Sequence, residues 1–266
     1  MSYTNYYQGG SRNKITCKSF LDAQHLFTPT ADKKHALGRI LEIDDGTGRK
    51  FRYCQDAGSG ISKALMAASA ALDTQAITST AQTAYGAALG AQKFNVLLTA
   101  GNAWTDHALR DGWLLVGDGG DAMGDLYMIK DNYQVVAGTD TAMTVEIADE
   151  GGLRTIIAAT DDVVLFQSKY ANCVANPTTQ AGGVVGVPLA DVSASYYFWA
   201  QFRGYTPIIC DASDTIVVGE PAGKAGTPGT AGGVGLVEND GTDAVWGTVV
   251  YASTTVECAI IDLLLP

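Results

Sequence analysis

From Arg39 to its end the chain is a succession of short β-forming runs, each cut off by a turn cluster rich in Gly and Asp. This punctuation limits the fold more than any other feature, because a helix needs a long uninterrupted periodic segment and a strand does not. Arg39–Asp44 and Lys50–Cys54 flank Asp44-Asp45-Gly46-Thr47-Gly48, a cluster of hairpin type. Phe94–Leu98, Trp113–Val116, Leu126–Lys130, Met143–Ile147 and Val163–Gln167 follow as further short strands. A second series is Tyr196–Arg203, Pro207–Cys210, Thr215–Val218, Val234–Val237, Ala244–Val250 and Val256–Leu265, with Asn239-Asp240-Gly241 as another hairpin turn. The single helix candidate is Ile61–Leu72, where Ile61, Leu65, Ala68 and Leu72 share one helical face. The fold class is mostly β: an extended N-terminal arm, then two β-rich parts of sandwich or barrel type, with little helix.

Composition shifts set the expected boundaries. Residues 1–40 carry Arg12, Lys14, Lys18, Lys33, Lys34 and Arg39 against Asp22 and Asp32, a net +4, whereas the remaining 11 basic and 26 acidic residues give −15. With its Gly9-Gly10 pair and no apolar periodicity, 1–38 reads as an extended arm rather than a domain. A β-rich domain is expected over 39–170. Around 171–190 charges vanish while Pro, Gly, Asn and Thr cluster, as in a linker, and a barrel-like C-terminal domain is expected over 191–266. In the last strand both alternating faces are apolar apart from Glu257 and Asp262, the pattern of a strand buried on both sides, inside a barrel or against another subunit.

Several function classes drop out on charge and length. A formal charge of −11 over 266 residues leaves no basic face for a phosphate backbone, so no nucleic-acid partner is expected. No run reaches the roughly 18 apolar residues of a membrane-spanning helix. The N-terminus lacks a basic segment followed by an apolar one, which points to synthesis in a cytoplasm. Only 17% of residues are charged and 31 are Gly, which suits a surface largely covered by neighbours.

The residues able to carry chemistry are scattered. Cys17, Cys54, Cys173, Cys210 and Cys258 form no Cys-x-x-Cys pair, and His25, His35 and His107 are too dispersed for a zinc site. No metal or cofactor is expected. Gly219 to Ala225 has the wrong spacing for a phosphate-binding loop, with Ala225 where a hydroxyl is required. Asp118, Asp121 and Asp125 lack the order of a calcium loop. Asp161-Asp162 and Asp149-Glu150 are sequence neighbours, which on a strand point to opposite faces and make poor acid–base pairs. The Tyr196-Tyr197-Phe198-Trp199 run could stack on a sugar, although strand cores and subunit interfaces use the same residues. Nothing here supports an enzyme.

The order of motifs nevertheless has a pattern: His35-Ala-Leu-Gly38, the hairpin to Phe51-Arg-Tyr53, Asp111-Gly-Trp-Leu-Leu-Val116 and Gly124-Asp-Leu-Tyr-Met-Ile-Lys130, then Asn176-Pro177 to Gly186-Val-Pro188, Tyr196 to Gln201, Arg203-Gly204 and Val217-Val-Gly-Glu-Pro221. From about residue 30 onward this order resembles the head decoration, or cement, proteins of tailed bacteriophages. The Ala-rich Ser62–Gln92 segment departs from the pattern. The resemblance implies a β-rich accessory protein on the outer capsid surface of the virion, commonly a homotrimer, bound to the major capsid protein and stabilising its contacts, with no catalytic residues. On that expectation Arg12, Lys14 and Lys18 meet capsid carboxylates while Tyr3, Tyr6 and Tyr7 fill apolar grooves. Subunits are expected to meet through Tyr197, Trp199, Ile261, Leu263 and Leu265. A head fibre or glycan-binding module is the alternative. Cysteine spacing and cytoplasmic synthesis predict a melting temperature indifferent to reductant and chelator; a drop of several degrees with either contradicts that.

Overall fold

The computed structural model describes residues 14–17, 25–70, 80–82, 86–97, 104–118, 120–133, 142–158, 161–178, 182–211, 215–225, 229–237, 244–253 and 257–266. The chain divides into two compact units. Unit 1 combines the described residues up to Ala70 with Tyr170–Pro266, and unit 2 is the segment Ala71–Lys169 between them.

In chain order, unit 1 begins with β1 (Lys14–Cys17), β2 (Ile40–Ile43), β3 (Lys50–Gln55) and β4 (Ala67–Ser69). Unit 2 contributes β5 (Thr80–Gln82), β6 (Lys93–Leu97), β7 (Trp113–Asp118), β8 (Leu126–Asn132), β9 (Ala142–Ile147) and β10 (Asp162–Phe166). Unit 1 resumes with β11 (Cys173–Ala175), β12 (Val184–Pro188), β13 (Tyr197–Ile209), β14 (Pro221–Lys224), β15 (Val234–Leu236), β16 (Gly247–Tyr251) and β17 (Cys258–Leu264). The protein is mostly β, as the turn punctuation predicts.

Unit 1 is one 11-stranded sheet with the path β1-β2-β3-β13-β17-β16-β14-β15, from which β12, β4 and β11 branch. The β2–β3 hairpin forms around the expected turn, where Gly46 and Gly48 hold φ of 79° and 69° and Asp45 accepts the Thr47 amide at 3.0 Å. At 13 residues β13 is the longest strand. Its N-terminal part pairs with β3 and β12, and Arg203–Ile209 pair with β17. Side chains of β13 reach three core clusters: Trp199 lies with Leu41, Phe51 and Tyr53; Phe198 and Ala200 with Cys54, Val185 and Ile61; Phe202 and Ile208 with Trp246, Ile261 and Leu263. Gly186 sits so close to β13 that a Cβ there would meet the Gln201 carbonyl oxygen at 2.5 Å.

Unit 2 is a six-stranded sheet in the order β5-β10-β7-β8-β9-β6. Its two edge strands β5 and β6 approach each other, so the sheet curls round an interior. β9 and β10 alternate between buried and half-buried residues, the period of a sheet with one face inward. Leu114, Val116, Tyr127, Ile129, Met143, Val145, Val163 and Leu165 fill that interior as one cluster. This unit holds 13 Asp and Glu against five Lys and Arg, so most of the net negative charge belongs to it.

Five expectations are corrected. The 39–170 and 191–266 domains are not the units, because residues 40–70 pair with the C-terminal half and unit 2 is an insertion. The 171–190 stretch is no linker: β11 and β12 lie in it, and Cys173, Val185 and Val187 are fully buried. The arm ends earlier than residue 38, since Leu26 and Leu37 are core residues and Thr30 bridges Tyr197. Of the Ile61–Leu72 candidate, the described part, 61–70, is not a helix. Ala64 takes a φ of 60°, the Ile61 and Met66 amides donate to Val192 and Gly232, and Ala67–Ser69 pair with β11 and β12. Tertiary pairing overrides the local alanine preference there. Thr215–Val218 is likewise not a strand, and β14 lies within the Gly219–Ala225 segment.

The ends of unit 1 meet where unit 2 is inserted, since the Ala70 amide donates to the Asn172 carbonyl at 2.8 Å. A chain in which a short Gly–Ser linker replaces residues 71–169 is expected to keep a cooperative thermal transition and a β-type circular dichroism spectrum. Loss of the transition would contradict the independence of unit 1.

Candidate docking surface

An antiparallel sheet with one solvated face normally turns polar side chains outward. β13, β17 and β16 depart from this. Their inward residues Thr206, Ile208, Ala259, Ile261, Leu263, Gly247 and Val249 are buried, so the alternation is sound. The outward residues are Tyr205, Ile260, Leu264, Val250 and Tyr251, with exposures of 60%, 38%, 58%, 38% and 56%. Register makes them neighbours: Tyr205 stands opposite Asp262, Pro207 opposite Ile260, Arg203 opposite Leu264, and Tyr251 opposite Ile260. The polar groups within the patch are exposed Arg203, half-buried Asp262 and exposed Thr248.

The expected interface residues lie on the other side of the same strands. Ile261, Leu263 and Leu265 are packed into this chain's own core beside Trp246, and Trp199 is buried with Tyr53. Tyr197 is half-buried and stacked on Tyr53, ring centroids 5.8 Å apart. Two apolar faces on the last strand were legible in the sequence, but which of them the chain's own core takes depends on register with β13 and β16. Exposed Ile260 and Leu264 are therefore the residues that sequence reasoning passed over. Tyr3, Tyr6, Tyr7, Arg12 and Lys18 lie outside the described residues. Lys14 opens β1, which pairs in parallel with β2.

The sugar-stacking platform is not formed, because Phe198 and Trp199 are 3% and 4% exposed. Trp199 belongs instead to a ring cluster with His25, His35, Tyr53 and Tyr197. The His35 ring meets Tyr53 edge-on at 5.1 Å, and the Tyr53 hydroxyl accepts the Lys34 amide at 3.0 Å. Burial pushes His35 down to about 4, and nearby Arg39 and His25 act in the same direction. Burial lowers His25 as well and raises Tyr53. The cluster thus pins residues 25–38 onto β3 and β13 through neutral rings.

In unit 2 the charged groups serve turns. Asp131 Oδ1 lies 2.6 Å from His107 Nδ1, and Asp131 Oδ2 accepts from Arg110 at 2.9 Å. Burial works against the Asp131 charge, but these hydrogen bonds outweigh it and hold the carboxyl below its usual range. Together with Asn132, whose carbonyl oxygen accepts the Leu109 amide at 2.8 Å, they fix the 104–112 turn on β8. Asp125 accepts the Tyr127 hydroxyl at 2.7 Å, and Asp161 accepts the Ala158 amide at 2.8 Å. Among the described residues, no three His, Cys, Asp or Glu side chains gather in a metal-binding arrangement.

No protein-family model, no curated protein and no solved structure matches this chain.

The ring cluster makes stability depend on pH. His35 binds its proton less tightly in the folded chain than in the unfolded one. Its stabilisation is complete above 6.5 and is lost as pH falls from 6.5 towards 4. The Asp131 contribution, in contrast, is lost only as pH falls below 3.8. Melting temperature should therefore fall between those first two values, and less steeply in His35→Phe; equal slopes would contradict the assignment.

Proposed function

We propose that the chain is a structural protein of a tailed-phage virion, which binds the outside of the assembled capsid and reinforces contacts between major capsid protein subunits. The observation that carries the reading is the apolar outward face of β13, β17 and β16. A freely diffusing enzyme gains nothing from such a face, whereas a protein that works by being packed among others does. The order of sequence motifs supports the same reading, as does the engagement of the Asp131 and Asp125 clusters in holding turns.

Charge distribution gives the division of labour. Ahead of the ring-pinned residues 25–38, positions 1–24 carry Arg12, Lys14 and Lys18 against Asp22 in an otherwise acidic chain, so the N-terminal segment is the part suited to an acidic shell. Many copies on one particle add avidity, so each contact can be weak. The glycan-binding alternative loses its best platform with the burial of Phe198 and Trp199.

The test uses heads lacking the protein, assembled from the major capsid protein of the same phage. Removing residues 1–12 spares β1 and the core residues Leu26 and Leu37, so the melting temperature should stay the same. Occupancy of the heads should fall about tenfold, the loss of a contact worth roughly 1.4 kcal/mol. Reversing Arg12 and Lys18 should weaken binding less, and more at low salt than at high, since exposed ion pairs contribute about 0–1 kcal/mol each. Undiminished decoration by the truncated chain would overturn the reading.

A further inference from the structure

The outward face of β13, β17 and β16 leaves open what covers it, and its two charges bear on the answer. In the strand register Arg203 stands opposite Leu264 and Tyr205 opposite Asp262. The four positions form the corners of a near-square, with two apolar groups on one diagonal and a cation and an anion on the other. Among the described residues neither Arg203 nor Asp262 forms an ion pair within the chain. A surface arranged this way is complementary to itself. A two-fold axis lying in the interface along the Tyr205–Leu264 diagonal sets each Arg203 over the other copy's Asp262. The same rotation places Leu264 over Leu264 and Tyr205 over Tyr205. It also crosses the strands of the two sheets at a wide angle, close to the orthogonal arrangement in which sheets pack face to face.

The area agrees. The exposed parts of Tyr205, Val250, Tyr251, Ile260 and Leu264 form a patch in the range of the largest on monomers, roughly 300–600 Å². A stable interface takes about 800 Å² from each partner, and this apolar centre is of the size such an interface is built around. We propose that a second copy of the chain closes this face, in a symmetric pair held by an apolar centre and two reciprocal Arg203–Asp262 ion pairs. An isologous contact of this kind closes at two subunits, not at the three that the phage resemblance implies. The inference does not rest on the capsid reading, since the face needs covering whatever the protein's duty.

Light scattering on the purified full chain at tens of micromolar tests it. The expected mass is twice the chain's 27.8 kDa. Leu264→Asp should give a monomer with an unchanged circular dichroism spectrum. Arg203→Asp and Asp262→Arg should each weaken association about tenfold, and the double reversal should restore it to within about threefold. As a check that does not depend on charge, Leu264→Cys in a Cys258→Ser background should form a disulfide-linked dimer under a mild oxidant. A wild-type monomer, a trimer, a double reversal that folds but stays weak, or no cross-link through position 264 would each overturn the proposal.

Discussion

Unit 1 depends on one strand being buried in two different ways along its length. The first part of β13 is enclosed on both faces, with Trp199 packed into one cluster and Phe198 and Ala200 into another. Past the register shift between Gln201 and Arg203 only one face stays inside. Gln201 is 1% exposed, and its amide donates to the Arg203 and Tyr205 carbonyls at 3.0 and 2.9 Å. Gly204 next to it takes a φ of 82°, a conformation that side chains with a Cβ resist. A buried amide and a left-handed glycine thus make the irregularity a fixed feature, and it is what turns Tyr205 outward. Had β13 continued without it, every later side chain would have pointed to the opposite face.

Unit 2 solves the same problem differently. Its strands are short and antiparallel, and it curls so that their inward faces share one interior. Its outer surface still exposes Leu89, Met123 and Ile156, amid a net acidity that favours contact with water. Insertion between Ala70 and Tyr170 leaves the pairing of unit 1 intact, because both ends of the interruption belong to neighbouring backbone in that sheet.

What could be seen in the sequence was decided by locality. Hairpins such as β2–β3 and β7–β8 have their turn and both strands within about 20 residues, and the Gly- and Asp-rich clusters mark them. The partners of β4 lie a hundred residues away, and no local pattern distinguishes Ala67-Ala68-Ser69 from the helix its alanines favour. Cys173–Ala175 and Val184–Pro188 looked like linker for the same reason: uncharged Pro- and Gly-containing sequence also suits strands packed against a neighbouring backbone. At the candidate surface the apolar character of Val256–Leu265 was visible and its polarity was not. The choice between Ile261-Leu263 and Ile260-Leu264 as the inner face is set by pairing with β13 and β16.

The outer side of Arg203–Pro207 and its neighbours on β17 and β16 is the proposed contact surface. Electron cryomicroscopy of the phage head proposed to carry this protein would image that surface. The expected density lies outside the shell, with Tyr205, Ile260 and Leu264 facing a second copy and the N-terminal segment towards the shell. A reconstruction in which that face is bare to solvent, or in which unit 2 alone meets the capsid, would contradict it.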